Sequence, residues 1–172
     1  MDEDQIRREV LSTLRPSFNI RKEVPGKHFT GQKFRLDAVV TPRHPQRWKN
    51  SDVALGIEFK DVMRLSGDTK NFTKSMAQCF DYSNTYWKDF GYLYIFVCPS
   101  LIKQIPKGKS ECEAQVEGTL THVMGQMGIG ELKHWDWKGW AFTLHSGHRL
   151  WSEKKGVEEG KHWNLEREFG SR

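Results

Sequence analysis

An aspartate, a glutamate and a lysine carry the residue types from which a hydrolytic centre could be built. Asp37 lies in KFRLDAVVT, and Glu58 and Lys60 lie in VALGIEFK, with 21 positions separating the two acids. If the intervening segment folds back as a long hairpin, adjacent strands bring Asp37 near Glu58. Two carboxylates held together form an oxygen-rich site suited to a hard divalent cation such as Mg²⁺ or Mn²⁺. Lys60, two residues from Glu58, projects from the same strand face. There it can orient or deprotonate a water and stabilise negative charge growing on a phosphate. Cation, water and ammonium together are what phosphodiester hydrolysis requires.

Spacing alone does not select this trio. An acid two residues before a lysine occurs six times, at Glu58, Asp68, Glu131, Asp136, Glu153 and Glu159. Context selects it. Glu58 sits inside a continuous apolar strand, follows another strand with an inward acid, and lies in the basic part of the chain. Glu131, in GIGELKHW, is the nearest competitor, but the helical run before it supplies no matching acid.

Several elements must position these residues. The pattern Ile6, Val10, Leu11, Leu14 predicts a helix over residues 2 to 14, ended by Pro16, with Glu9 on its flank. Residues 17 to 23 and 33 to 41 read as strands, with Gly26 and Gly31 as breaks between them. In the second strand Phe34, Leu36, Ala38 and Val40 share one face and Asp37 lies on the other. TPRHPQRWKNSD reads as an exposed basic loop. Residues 71 to 88 read as a helix with Met76, Phe80, Ser83 and Trp87 on one stripe and Gln78 and Tyr82 on its flank. GYLYIFVC reads as a strand apolar on both faces, typical of a sheet interior. Ser110 and Glu113 form a capping box for a further helix whose stripe is Val116, Leu120, Val123, Met124 and Met127. GWAFTLH and HRLW give a late hairpin. The expected class is α/β, one domain over residues 1–172 with a mixed central sheet flanked by helices.

Composition bounds the function. The 172 residues carry a net charge of +5. Residues 1 to 26 and 75 to 172 are each neutral, so the excess resides between Lys27 and Lys74, with ten Lys/Arg against five Asp/Glu. A local basic field of that kind attracts a polyanion. Arg43, Arg47, Trp48 and Lys49 in the loop, with Lys70 and Lys74 at the start of the following helix, are the candidate nucleic-acid contacts. The longest apolar run, Gly91 to Cys98, is eight residues, against the ~20 a spanning helix needs. The acidic start has no basic n-region and apolar h-region, so a cytoplasmic protein with no membrane partner is expected. Three cysteines without a CxxC pair favour neither a disulfide framework nor a cysteine zinc site. The histidine spacings match no zinc pattern, and the tryptophans clustered after residue 134 are expected to pack a late hairpin rather than stack on bases.

LDAVV, then GIEFK, then a helix bearing QCFDY resembles the PD-(D/E)XK nuclease superfamily, which includes restriction endonucleases and Holliday-junction resolvases. The resemblance covers roughly residues 5 to 98, an αβββαβ core, leaving a helix and β-hairpin extension over about 110–172. It implies Asp37, Glu58 and the Phe59 carbonyl as metal ligands and Lys60 as the catalytic lysine. Glu9 matches a helical glutamate beside the metal, and Gln78 and Tyr82 match a glutamine and tyrosine around the site and the phosphate backbone. Leu36 replaces the proline of the family's name, and the gap between the acids implies an extended hairpin. The implied activity is Mg²⁺- or Mn²⁺-dependent DNA hydrolysis, in a phage or mobile-element setting given the small size, with room for a homodimer. The alternatives are a non-cutting nucleic-acid-binding module of the same fold, or an RNA-processing nuclease.

Overall fold

In the computed structural model the described residues are 3–60, 69–99, 111–145 and 148–158, and the side chains of 69–72 and 111–118 are not described. The first helix, α1 (Glu3–Leu14), places Glu3 and Asp4 in its first turn, where the helix dipole favours anions. It buries Ile6, Val10, Leu11 and Leu14. Strands β1 (Phe18–His28) and β2 (Lys33–Pro42) form a long antiparallel hairpin. A 3₁₀ turn at Pro45–Arg47 lies in the connection to β3 (Leu55–Phe59), which runs antiparallel to β2. Helix α2 (Thr69–Ser83) and short strand β4 (Thr85–Trp87) follow, then β5 (Tyr94–Cys98), parallel to β3. Helix α3 (Glu111–Gln126) crosses to β6 (Ile129–Trp135), parallel to β5. Strands β7 (Gly139–Leu144), β8 (His148–Ser152) and β9 (Gly156–Val157) complete the edge in antiparallel steps.

The fold is α/β around one mixed, curled sheet of order β4-β1-β2-β3-β5-β6-β7-β8-β9. The curl is measurable. Phe18 on β1 lies 5.7 Å ring to ring from Phe142 on β7 and 5.0 Å from Trp151 on β8, although four strands lie between β1 and β7 in the order. Its concave face encloses α1 in one apolar cluster. On the convex face, Tyr82 and Cys79 of α2 and Met124 of α3 cover two further clusters.

Several sequence expectations change. The first strand extends to His28 rather than ending near residue 23, and Gly26 is inside it because the Trp87 ring occupies the space a Cβ would need, 2.5 Å from its ideal position. The helix expected to reach residue 88 ends at Ser83. Thr85, Tyr86 and Trp87 instead pair with His28, Lys27 and Gly26. The stripe α2 buries includes Ser75, Cys79, Tyr82 and Ser83, while Phe80 faces outward at 46% exposure. Likewise Val123 on α3 is largely exposed, and the Ser110 cap lies outside the described residues. Strand β6 comes from IGELKHW, where a glycine and charges hide the alternation.

The largest departure is in β2. Leu36 belongs to the convex cluster with Tyr82 and Ile95, whereas Ala38 and Val40 belong to the concave one. On β1, Phe18 and Ile20 pack inside the curl and Val24, of the same parity, packs outside. Both strands therefore change face at one level, Glu23 and Asp37, and the ladder passes from Lys22–Ala38 to Val24–Leu36. Glu23 takes a left-handed φ of 52°, a conformation a non-glycine residue adopts at a cost. Asp37 thus sits where the hairpin twists from one side of the sheet to the other.

Candidate active site

Three strands and one helix converge on Glu58. The last β2–β3 ladder pair is Ala38 with Ile57, so the next step of that register sets Asp37 opposite Glu58. Having left the ladder, Asp37 receives the Phe59 backbone N–H on Oδ2 at 2.8 Å and the Arg7 guanidinium on Oδ1 at 2.8 Å. Glu58 is 6% exposed. Its Oε1 accepts from Lys60 Nζ at 2.7 Å and from Gln78 Nε2 at 3.2 Å. Lys60 Nζ also donates to Gln78 Oε1, and Gln78 Nε2 donates to the Tyr82 hydroxyl at 2.8 Å. Tyr82 in turn donates to the Arg35 carbonyl at 3.3 Å, which ties α2 to β2. The spacing Gln78 to Tyr82 is one helical turn, so both reach the same strand ends.

The electrostatics follow from the geometry. Burial pushes the Glu58 carboxyl up to about 8; Lys60 opposes that rise, and Asp37, close enough to share a proton with it, adds to it. Cys79 lies beneath the pair, its thiol raised to about 12 by burial, with Lys60 and Glu58 acting in opposite senses. Tyr82 is likewise raised to about 12, by burial and then by the Glu58 charge.

The structure brings together Asp37, Glu58, Lys60, Gln78 and Tyr82, and Phe59 contributes its backbone N–H to Asp37. Glu9 stands apart from the hydrogen-bonded network, but its charge reaches the strand beside Phe59. Glu9 is an exposed residue of α1 whose charge is felt by the Cys98 thiol at the end of β5. Among the described residues, no three His, Cys, Asp or Glu side chains converge as a metal cage. The donor set that remains is two apposed carboxylates and the Phe59 carbonyl. These are oxygen donors of the kind a hard divalent cation takes, with water completing the coordination, and such a cation would displace the proton that burial and the second carboxyl favour on Glu58.

The basic loop divides. Arg43, Arg47 and Lys49 are exposed, with Arg43 Nε held by the Arg15 carbonyl at 2.8 Å. Trp48 is not a surface contact: it is 7% exposed and edge-on to Phe18 at 6.3 Å, an anchor that seats the loop in the core. The loop also joins the C-terminal end of β2 to the N-terminal end of β3, whereas Lys60 follows the C-terminal end of β3 and Asp37 lies midway along β2. Lys74 is exposed one turn before Gln78 on α2, while the Lys70 side chain lies outside the described residues.

Arg7 is the site residue that the sequence reading missed. It contacts Glu3 at 3.2 Å, Glu23 at 3.6 Å and Asp37 at 2.8 Å, and its guanidinium lies 5.7 Å from the Phe59 ring centre. The available signal was its place beside Ile6 on the inward flank of α1, one turn after Glu3. Among the described residues no helix is long and apolar enough to cross a membrane. Comparison with protein-family models, with curated proteins and with solved structures finds no match to this chain.

Proposed function

We propose that the protein is a metal-dependent nuclease that hydrolyses DNA phosphodiester bonds at the Asp37, Glu58 and Lys60 cluster. The observation that carries this reading is that Lys60 Nζ bridges Gln78 and Glu58, the residue that the strand register sets opposite Asp37. An αβββαβ core of the restriction-endonuclease kind is part of the same reading. It is supported by the antiparallel run β1-β2-β3 with β5 parallel beside β3.

Asp37, Glu58 and the Phe59 carbonyl would hold Mg²⁺ or Mn²⁺. A divalent cation bound there supplies a lowered pKa for water and neutralises phosphate charge. Gln78 fixes the Lys60 ammonium at the carboxylates, where it can orient the attacking water and carry a proton. Tyr82 holds Gln78, and so acts on Lys60 through it. Burial of the cluster keeps the ammonium's field strong at the reacting phosphate.

One observation favours a second reading, a non-cutting nucleic-acid-binding module. The Arg7 guanidinium already satisfies Asp37 Oδ1, as a structural ion pair would. Linear, closed circular, single-stranded and branched DNA, and RNA, incubated with Mg²⁺, Mn²⁺ or EDTA decide between them. Metal-dependent cleavage that disappears in Lys60→Met supports the nuclease, and its polymer preference separates DNA from RNA processing. Binding without cleavage under every metal supports the module.

A further inference from the structure

The β1–β2 hairpin carries Asp37 partway along β2 and then continues past the end of β3. Lys33 lies four residues beyond Asp37, about 14 Å along an extended strand. At its tip the His28 N–H donates to the Gln32 carbonyl at 2.8 Å and the Gly31 N–H to the His28 carbonyl at 2.8 Å. Gly31 has φ 92°, which a glycine takes without strain. His28 is buried against Phe34 and its Nδ1 meets Thr30 Oγ1 at 2.8 Å. Phe29, by contrast, is 76% exposed, its ring 4.2 Å from that of His28. The turn is a built support with an aromatic ring projecting from it.

The charges beside that ring are arranged against folding stability. Lys27 and Lys33 are direct partners across the β1–β2 ladder. Like charges placed opposite each other repel. Lys27 is also the ladder partner of the exposed Tyr86 on β4, so Lys33, Lys27 and Tyr86 form a row across three strands. From Lys27 to Arg35 the chain has three Lys/Arg and no acid. A lysine pair that opposes folding and flanks an exposed aromatic is complementary to two phosphates on either side of a base step.

We propose that this hairpin is a nucleic-acid wedge. Phe29 enters a base step at a nick or branch, and Lys27 and Lys33 hold the flanking phosphates, which delivers the adjoining backbone toward Asp37 and Lys60. Apolar side chains inserted between base pairs act by stacking where pairing is already weakened, so the preference is for interrupted over intact duplex. The proposal rests on the nuclease reading for the identity of the polymer, and its test does not use cleavage.

The full chain in EDTA is titrated by anisotropy against intact, nicked and three-way-branched duplexes, the last two with 2-aminopurine at the interruption. Phe29→Ala is expected to bind the interrupted DNAs about tenfold more weakly, to change less than twofold on intact duplex, and to lose the 2-aminopurine fluorescence rise. The double variant Lys27→Gln and Lys33→Gln should weaken binding to all three and reduce the slope of log affinity on log salt by about 2, at about 0.9 per phosphate. It should melt no lower than the parent, because it removes a repulsion; Lys154→Gln with Lys155→Gln is the charge-matched control. Unchanged affinity and fluorescence in Phe29→Ala, or a lysine double indistinguishable from the control, overturns the wedge while leaving the nuclease reading intact. Hairpin-dependent binding without cleavage in metal removes the nuclease reading and leaves the wedge. Poly-glutamate bound as tightly as DNA through the same residues would make the partner an acidic protein and overturn the proposal, and a parent that binds none of the DNAs overturns both.

Discussion

The sheet carries the same three-residue pattern twice, at one level. Glu58 on β3 is the ladder partner of Val97 on β5, and Val97 is the partner of Glu131 on β6. Each glutamate is buried and each accepts from the lysine two residues on, Lys60 at 2.7 Å and Lys133 at 2.9 Å. Their neighbours differ. Glu58 faces Asp37 and the Gln78–Tyr82 pair of α2. Glu131 faces Thr143 on β7, whose hydroxyl donates to the Glu131 carbonyl at 3.3 Å, and lies near Thr121, Met124 and His145. An acid and a lysine two apart on a strand thus suffice for a buried Glu–Lys contact. The second carboxylate and the amide from a helix distinguish the Glu58 site, and the proposed reaction rests on them.

The comparison breaks most readily on activity. Asp37→Ala, Glu58→Gln and Lys60→Met should each lower metal-dependent cleavage by at least ~100-fold, the lower end of what a positioned acid–base group contributes. Glu131→Gln and Lys133→Met should stay within about threefold of the parent, measured on the most rapidly cut DNA. If a β6 variant is the inactive one, the centre lies two strands away from where we put it.

Stability should show the converse. Removing one partner of a buried pair leaves an uncompensated charge, so Glu131→Ala should cost about 3–5 kcal/mol in urea unfolding. Replacing Glu131 and Lys133 together by leucine should recover most of that loss. A Glu131→Ala chain as stable as the parent would show that the β6 pair is not what holds that edge.

Glu58 has a further signature in the metal-free protein. Its carboxyl is raised to about 8 in the folded state, above the value near 4.3 of an unfolded chain. The folded state therefore keeps a proton that the unfolded chain has released, and this contribution is complete below pH ~4.3 and lost as pH rises through about 8. Unfolding free energies taken at pH 5, 6.5 and 8 should fall across that window, and Glu58→Gln should flatten the decline. An unchanged slope in Glu58→Gln would assign the titration to another group.

How much of this was legible in the sequence follows from which interactions are local. The alternation in VALGIEFK and the one-turn spacing of Gln78 and Tyr82 are local, and they place Glu58, Lys60 and the two α2 residues correctly. The return of β3 onto β2 was legible because two strands with inward acids flank a turn-rich segment. Two features rest on partners distant in sequence. The face change at Glu23 and Asp37 depends on the curl, which brings Phe18 to Phe142, and α1 must lie inside that curl before Arg7 can reach Asp37. Trp48 reads as a loop aromatic because its neighbours are polar, yet its partner is Phe18, thirty residues upstream. Gly26 reads as a break because nothing nearby announces that Trp87 fills its missing side chain.

The smallest effect belongs to the loop. Arg43, Arg47 and Lys49 are exposed, but β2 and β3 put them at the strand ends away from Lys60. Glu58 lies three residues from the start of β3, about 10 Å along the strand, so these cations can meet a duplex only several base pairs from the cut. Contacts of that kind position the polymer without reading it. The triple Arg43→Ala, Arg47→Ala and Lys49→Ala should therefore weaken duplex binding about three- to tenfold at 0.1 M salt, equally on all sequences, and leave the single-turnover cleavage rate at saturation unchanged. Lys154, Lys155 and Lys161, three cations of the neutral C-terminal region, form the matched triple. Equal losses from both triples would mean that overall charge, not the loop, attracts the polymer. A lowered cleavage rate at saturation would mean that the loop reaches the reacting phosphate, and the separation of the two strand ends described here would not hold in the complex.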